Sequence, residues 1–136
     1  MRKALLMGLV VLGASVCLAT TTRAQGCGTI DGTSLNFPNN PGGDDAECPK
    51  LCKKWVNECK KVVKGQTQCA DSVLDAEEGV EKADCKTFVD PIEKKACQDE
   101  LKALVALERA GIDAESSAAL QACSDDEADC VADCES

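Results

Sequence analysis

The spacing of the cysteines restricts this chain more than any other feature. From Cys48, with Cys69 set aside, the pattern reads C-x3-C-x6-C-x25-C-x11-C-x25-C-x6-C-x3-C, the same in both directions. The numbers of Cys48 and Cys134, Cys52 and Cys130, Cys59 and Cys123, and Cys85 and Cys97 all sum to 182. The centre of the pattern falls on Pro91. An antiparallel pair of helical arms has this property, because residue i then faces residue 182 − i. Steps of four and seven residues keep cysteines on one helix face, and the reversed steps keep their partners level on the other arm. A disulfide needs alpha carbons about 4.4–6.8 Å apart, so matched spacing is what such cross-links require. The spacing therefore predicts bridges 48–134, 52–130, 59–123 and 85–97. Cys69 would face Asp113, which cannot bridge, and is left with Cys27.

The same segment carries helix signals. Pro49 suits a first helical turn, with Asp44, Asp45 and Glu47 just before it. A first helix is expected to run to about Lys64 with positions 48, 52, 55, 59 and 62 inward, and to break or kink at Gly65. A second is expected over about 67–86, with 69, 73, 76, 80 and 83 inward. Asp90-Pro91-Ile92-Glu93 offers an Asp cap, Pro at the first helical position and Glu three residues after the cap. A third helix then runs to about Ala110 and stops at Gly111. Asp113 caps a fourth that reaches Cys134, with a further capping signature at Ser124 to Glu127. Four such helices stay extended as a hairpin or fold over into a compact four-helix bundle. Burial of both faces of short amphipathic helices favours the bundle. The expected class is therefore all-α: a disulfide-stapled antiparallel hairpin folded into a small four-helix bundle.

Residues 1–24 read as a signal peptide. Arg2 and Lys3 precede an apolar stretch from Leu5 to Leu18, and Thr22-Arg23-Ala24 offers a cleavage site after Ala24. The stretch is short for a span of about 20 residues, and Val16 is unsuited to precede a lipid-modified Cys17. Residues 25–47 are rich in Gly, Asn, Pro and Asp without periodicity, and read as an irregular N-terminal arm held at Cys27. Residues 48–136 form the disulfide-rich helical domain. Ten of the eleven cysteines lie beyond residue 24. An even count in a secreted chain points to an extracellular or periplasmic location.

Removal of Arg2, Lys3 and Arg23 leaves 12 basic and 24 acidic residues, a net charge of −12. Such a chain is unsuited to nucleic acid, whose phosphates need Lys or Arg, and to anionic membranes. The charge is unevenly placed. The first helix carries Lys50, Lys53, Lys54, Lys60, Lys61 and Lys64 against Glu58. The last segment carries Asp113, Glu115, Asp125, Asp126, Glu127, Asp129, Asp133 and Glu135 with no basic residue. Opposite charge is expected to help set the two arms side by side, at about 0–1 kcal/mol per exposed pair. The same arithmetic sets Leu51 opposite Val131 and Val62 opposite Leu120. The mature chain has Trp55, Phe37 and Phe88 and no Tyr. Its core is therefore thin, and Trp55, on the cysteine face, is expected to pack in it.

Nested pairing of outer helices with one bridge between the middle two resembles the saposin-like lipid-binding fold over residues 48–134. The spacings differ and an extra outer pair is present. The twin C-x3-C elements also resemble helical-hairpin proteins such as small mitochondrial carrier chaperones and some plant protease inhibitors, in which the two elements lie close together. No functional residue carries over from either.

Catalysis is not expected. The chain has no His, the commonest general base and metal ligand. Its mature cysteines are committed to bridges, and no carboxylate pair stands out. Zinc is disfavoured by compartment and by the absence of C-x2-C spacing. The Asp125 to Glu135 cluster offers at most a weak calcium site: a loop of the Asp-x-Glu-x-Asp-Gly kind starting at Asp125 would need Gly where Cys130 stands, and acids that complement a helix N-terminus are the favoured reading. No catalytic, metal or cofactor residue is assigned. The reading that follows is a secreted or periplasmic binding or structural module whose partner is another protein. A saposin-like carrier of lipid or small apolar ligands, and a secreted inhibitor or effector, are the alternatives.

Overall fold

The computed structural model describes residues 26–32 and 46–135. The expected signal peptide, and residues 25 and 33–45 of the arm, lie outside the described residues. Two long helices account for nearly all of the remainder: α1, Cys48–Cys85, and α2, Pro91–Cys134. At 1.5 Å per residue they are about 57 and 66 Å long. Cysteines that ascend along α1 are bonded to cysteines that descend along α2, so the helices run antiparallel.

The ends of the helices follow local chemistry. α1 starts with Glu47 as N-cap, without a side-chain cap, and Pro49 in the first turn. At its far end the Lys86 amide donates to the Ala83 carbonyl at 3.1 Å and the Thr87 amide to that of Asp84 at 3.0 Å. The Thr87 hydroxyl also donates to the Asp84 carbonyl, at 2.7 Å. Asp90 then turns extended (φ −73°, ψ 123°), as a residue before proline must. Its Oδ1 accepts the Ile92 amide at 2.8 Å. Pro91 and Glu93 occupy the first turn of α2, so this helix start is the one its sequence signature describes.

Among the described residues two continuous helices stand where four were expected, and they do not make a four-helix bundle. Gly65 lies inside α1 and Gly111 inside α2. Neither has positive φ, and neither is approached within 4 Å at the place of a Cβ. An interior glycine costs a helix about 1 kcal/mol relative to Ala. That is too little to break a helix whose seam continues on both sides. Thr67 and Ser124, expected near helix starts, instead donate to the carbonyls one turn back, Val63 at 2.8 Å and Leu120 at 3.2 Å.

The seam is a single stripe. On α1 it passes through Cys48, Cys52, Val56, Cys59, Val63, Ala70 and Leu74, and on α2 through Leu101, Ile112, Ala119, Cys123 and Cys130, all buried. The steps of three, four, seven and eleven keep these residues on one face of each helix, as in a coiled-coil seam. The stripe differs from expectation by one position in places. Val56 and Val63 are buried where 55 and 62 were expected inward. Ala70 and Leu74 replace 69 and 73, and Val80 is 64% exposed. Trp55, Val62, Leu51, Leu120 and Val131 are half-buried. Ile30, from the N-terminal arm, joins this core, and Val105 and Leu120 pack against it.

Candidate functional site

The stapled end of the hairpin is held by bridges Cys48–Cys134, Cys52–Cys130 and Cys59–Cys123, with alpha carbons 5.9, 5.8 and 5.9 Å apart. Cys85–Cys97 ties the turn end at 5.7 Å, and Cys27–Cys69 fixes the arm to α1 at 5.6 Å. In the chain-entropy account, the 86-residue separation of the outermost bridge corresponds to about 4–5 kcal/mol. Inner bridges add less, because the chain is already constrained. This is how a narrow seam of cysteine, valine, alanine and a few leucine and isoleucine residues, without a buried aromatic ring among the described residues, suffices.

Below Cys69 the arm lies on the seam. The Asp31 and Gly32 amides both donate to Gln66 Oε1 at 3.3 Å. Gly32 has φ 65°, and a Cβ there would lie 3.0 Å from Cys59 Sγ and 3.3 Å from Val63 Cγ2. Glycine is favoured here on both counts, since a side chain would be strained by the positive φ and crowded by Cys59 and Val63.

Between the helices, Ser116 Oγ lies 2.9 Å from Thr67 Oγ1; the Thr67 proton goes to the Val63 carbonyl, so the Ser116 hydroxyl donates and Thr67 accepts. Arg109 stands opposite position 73, and its guanidinium reaches to either side of it, to Asp71 at 3.3 Å and Asp75 at 2.7 Å. The hydrogen bond to Asp75 chiefly holds the Arg109 pKa above its ordinary value. On the outer surface of α2, Lys95 donates to Asp99 at 2.5 Å, and that bond chiefly lowers the Asp99 carboxyl. Sequence reasoning missed Gln66, Thr67–Ser116 and the Arg109 fork. The fork was within reach of the same arithmetic that paired the cysteines.

The expected charge pairing between arms takes a different form. Lys50, Lys53, Lys54, Lys60, Lys61 and Lys64 line one open depression of about 640 Å³ on α1. Helical geometry spreads it from one flank to the back of α1, away from the side that carries Cys52, Val56, Cys59 and Val63. Lys61 pairs with Glu58 on its own helix at 2.7 Å. No ion pair holds Lys50, Lys53, Lys54, Lys60 or Lys64 among the described residues. Five of these lysines are exposed and Lys60 is half-buried, so the positive stripe is presented rather than spent on α2.

The sulfurs of Cys48, Cys52 and Cys134 gather within 4.8 Å, with Cys52 and Cys134 Sγ 3.6 Å apart. Each belongs to a disulfide, and a bridged sulfur offers no thiolate to a metal. Among the described residues no side chain with a polar or charged head is buried. No helix there is long and apolar enough to cross a membrane. The five bridges fit an extracellular or otherwise oxidising compartment. No protein-family model, curated protein or solved structure matches the chain.

Proposed function

We propose that the chain is a secreted or periplasmic, non-catalytic binding or structural module that engages protein through the lysine face of α1. The observation that carries this reading is the outward basic stripe, held on a stapled helix and lacking ion partners in five of its six lysines among the described residues. In a mature chain of net charge −12, such a face is the exception to the general surface. A stapled helix offers it without further ordering cost, which favours binding. The absence of His and the bridging of the cysteines support a role without catalysis.

A lipid carrier is less well supported. The depression beside Leu101, lined by Lys82, Lys86, Gln98 and Lys102, holds about 140 Å³. Ligand pockets are commonly about 300–1,000 Å³. The test of the reading is capture from the native secretion by immobilised oxidised protein, beside a Lys53→Glu/Lys60→Glu variant. A partner held by the native face and lost from the variant is expected. Equal capture by both would remove the lysine face from the account.

A further inference from the structure

We infer that the lysine face of α1 docks on the outer face of α2 of a second copy, so that hairpins associate side by side in an open row. The inference rests on the reading of that face as a protein-docking surface, and names its partner.

The outer face of α2 supplies the complement. Opposite its seam, α2 carries exposed Ala114, Ala118, Ala128 and Ala132 together with exposed Asp125 and Asp129. A lysine offers an aliphatic stem and a charged head, and covers apolar surface with the first while the second seeks an anion. Alanines beside aspartates are suited to both parts. The small side chains also admit a close approach of the two helices.

The levels agree as well. When one hairpin is set beside another by simple translation, residue i of α1 lies level with residue 182 − i of the neighbour's α2. Lys53 then stands level with Asp129. Asn57 stands level with Asp125, with Lys53 and Lys54 on one side and Lys60 and Lys61 on the other. The two faces lie on opposite edges of the two-helix ribbon, so the contact is between unlike surfaces. Repeated by translation it does not close, and it extends as a row. The net negative charge of each copy opposes growth, and the local pairing acts within a Debye length of about 8–10 Å.

The test is sedimentation of the purified, oxidised protein alone, from micromolar to millimolar concentration. The native chain is expected to rise about twofold or more in average mass, and to fall back in molar salt, where the Debye length is about 3 Å. Lys53→Glu/Lys60→Glu and Asp125→Lys/Asp129→Lys are each expected to remain monomeric. Mixed together they are expected to associate again, because each then complements the other. A native chain that stays monomeric at millimolar concentration overturns the inference, as does a mixture that fails to recover association. Since only this chain is present, such a failure leaves the capture result on other proteins standing, and with it the docking role of the lysine face.

Discussion

Arg109 donates from Nη2 to Asp75 Oδ1 at 2.7 Å, joining α2 to α1 midway between the bridges at either end of the hairpin. The guanidinium also reaches Asp71 at 3.3 Å. Both carboxylates belong to one face of α1, one turn apart, so a single forked side chain spans them. The group is well exposed, and its contribution is therefore open to screening by salt. Replacement by Gln is expected to lower the melting temperature slightly at low ionic strength, and to make no difference in molar salt. Thermal unfolding followed by circular dichroism at both salt concentrations checks this. An equal loss in both would mean that the side chain acts by packing.

The two continuous helices make a prediction about their glycines. A Cβ at Gly65 or Gly111 meets nothing within 4 Å, and neither residue has positive φ. Gly65→Ala and Gly111→Ala are each expected to stabilise by about 0.5–1 kcal/mol. Chemical denaturation measures it. Destabilisation by either would show that the helix breaks there.

Gly32 should behave in the opposite way. Its φ of 65° disfavours any side chain, and its Cβ would press on Cys59 Sγ at 3.0 Å. Gly32→Ala is expected to cost about 1–3 kcal/mol. The same denaturation series provides the comparison, and a neutral result would dissociate the arm from the seam.

Asp99 offers a test by titration. Its hydrogen bond to Lys95 holds the carboxyl below its ordinary value of 3.8. A folded-state pKa below the unfolded one stabilises above the unfolded value, and that stabilisation is lost as pH falls through the folded value. Carboxyl NMR is expected to give a midpoint below 3.8, and Lys95→Gln to raise it. A midpoint unchanged by the substitution would contradict the pairing.

The cysteine register was legible because bridged pairs must be level, and level pairs leave a symmetric spacing in the chain. The Asp90 cap was legible because a helix start depends on a few adjacent residues. The breaks were not, because an interior glycine weighs little against a seam that continues past it. The inward stripe near Cys69 was misplaced for a related reason. Cys69 serves the arm through Cys27, while the seam itself passes through Ala70 and Leu74. The lysines of α1 were visible as charge, but their charge alone did not say which way they face. Their positions relative to Cys52 and Cys59 settle that, once the seam is known.

Disulfide mapping under non-reducing conditions tests the nested register most directly. Cleavage after Lys50, Lys53 and Lys54 separates Cys48, Cys52 and Cys59. Cleavage at the acidic residues from Asp125 to Asp133 separates Cys123, Cys130 and Cys134. Linked fragments carrying Cys48 with Cys134, Cys52 with Cys130, and Cys59 with Cys123 are expected. A bond between Cys48 and Cys52, or between Cys59 and Cys69, would contradict it.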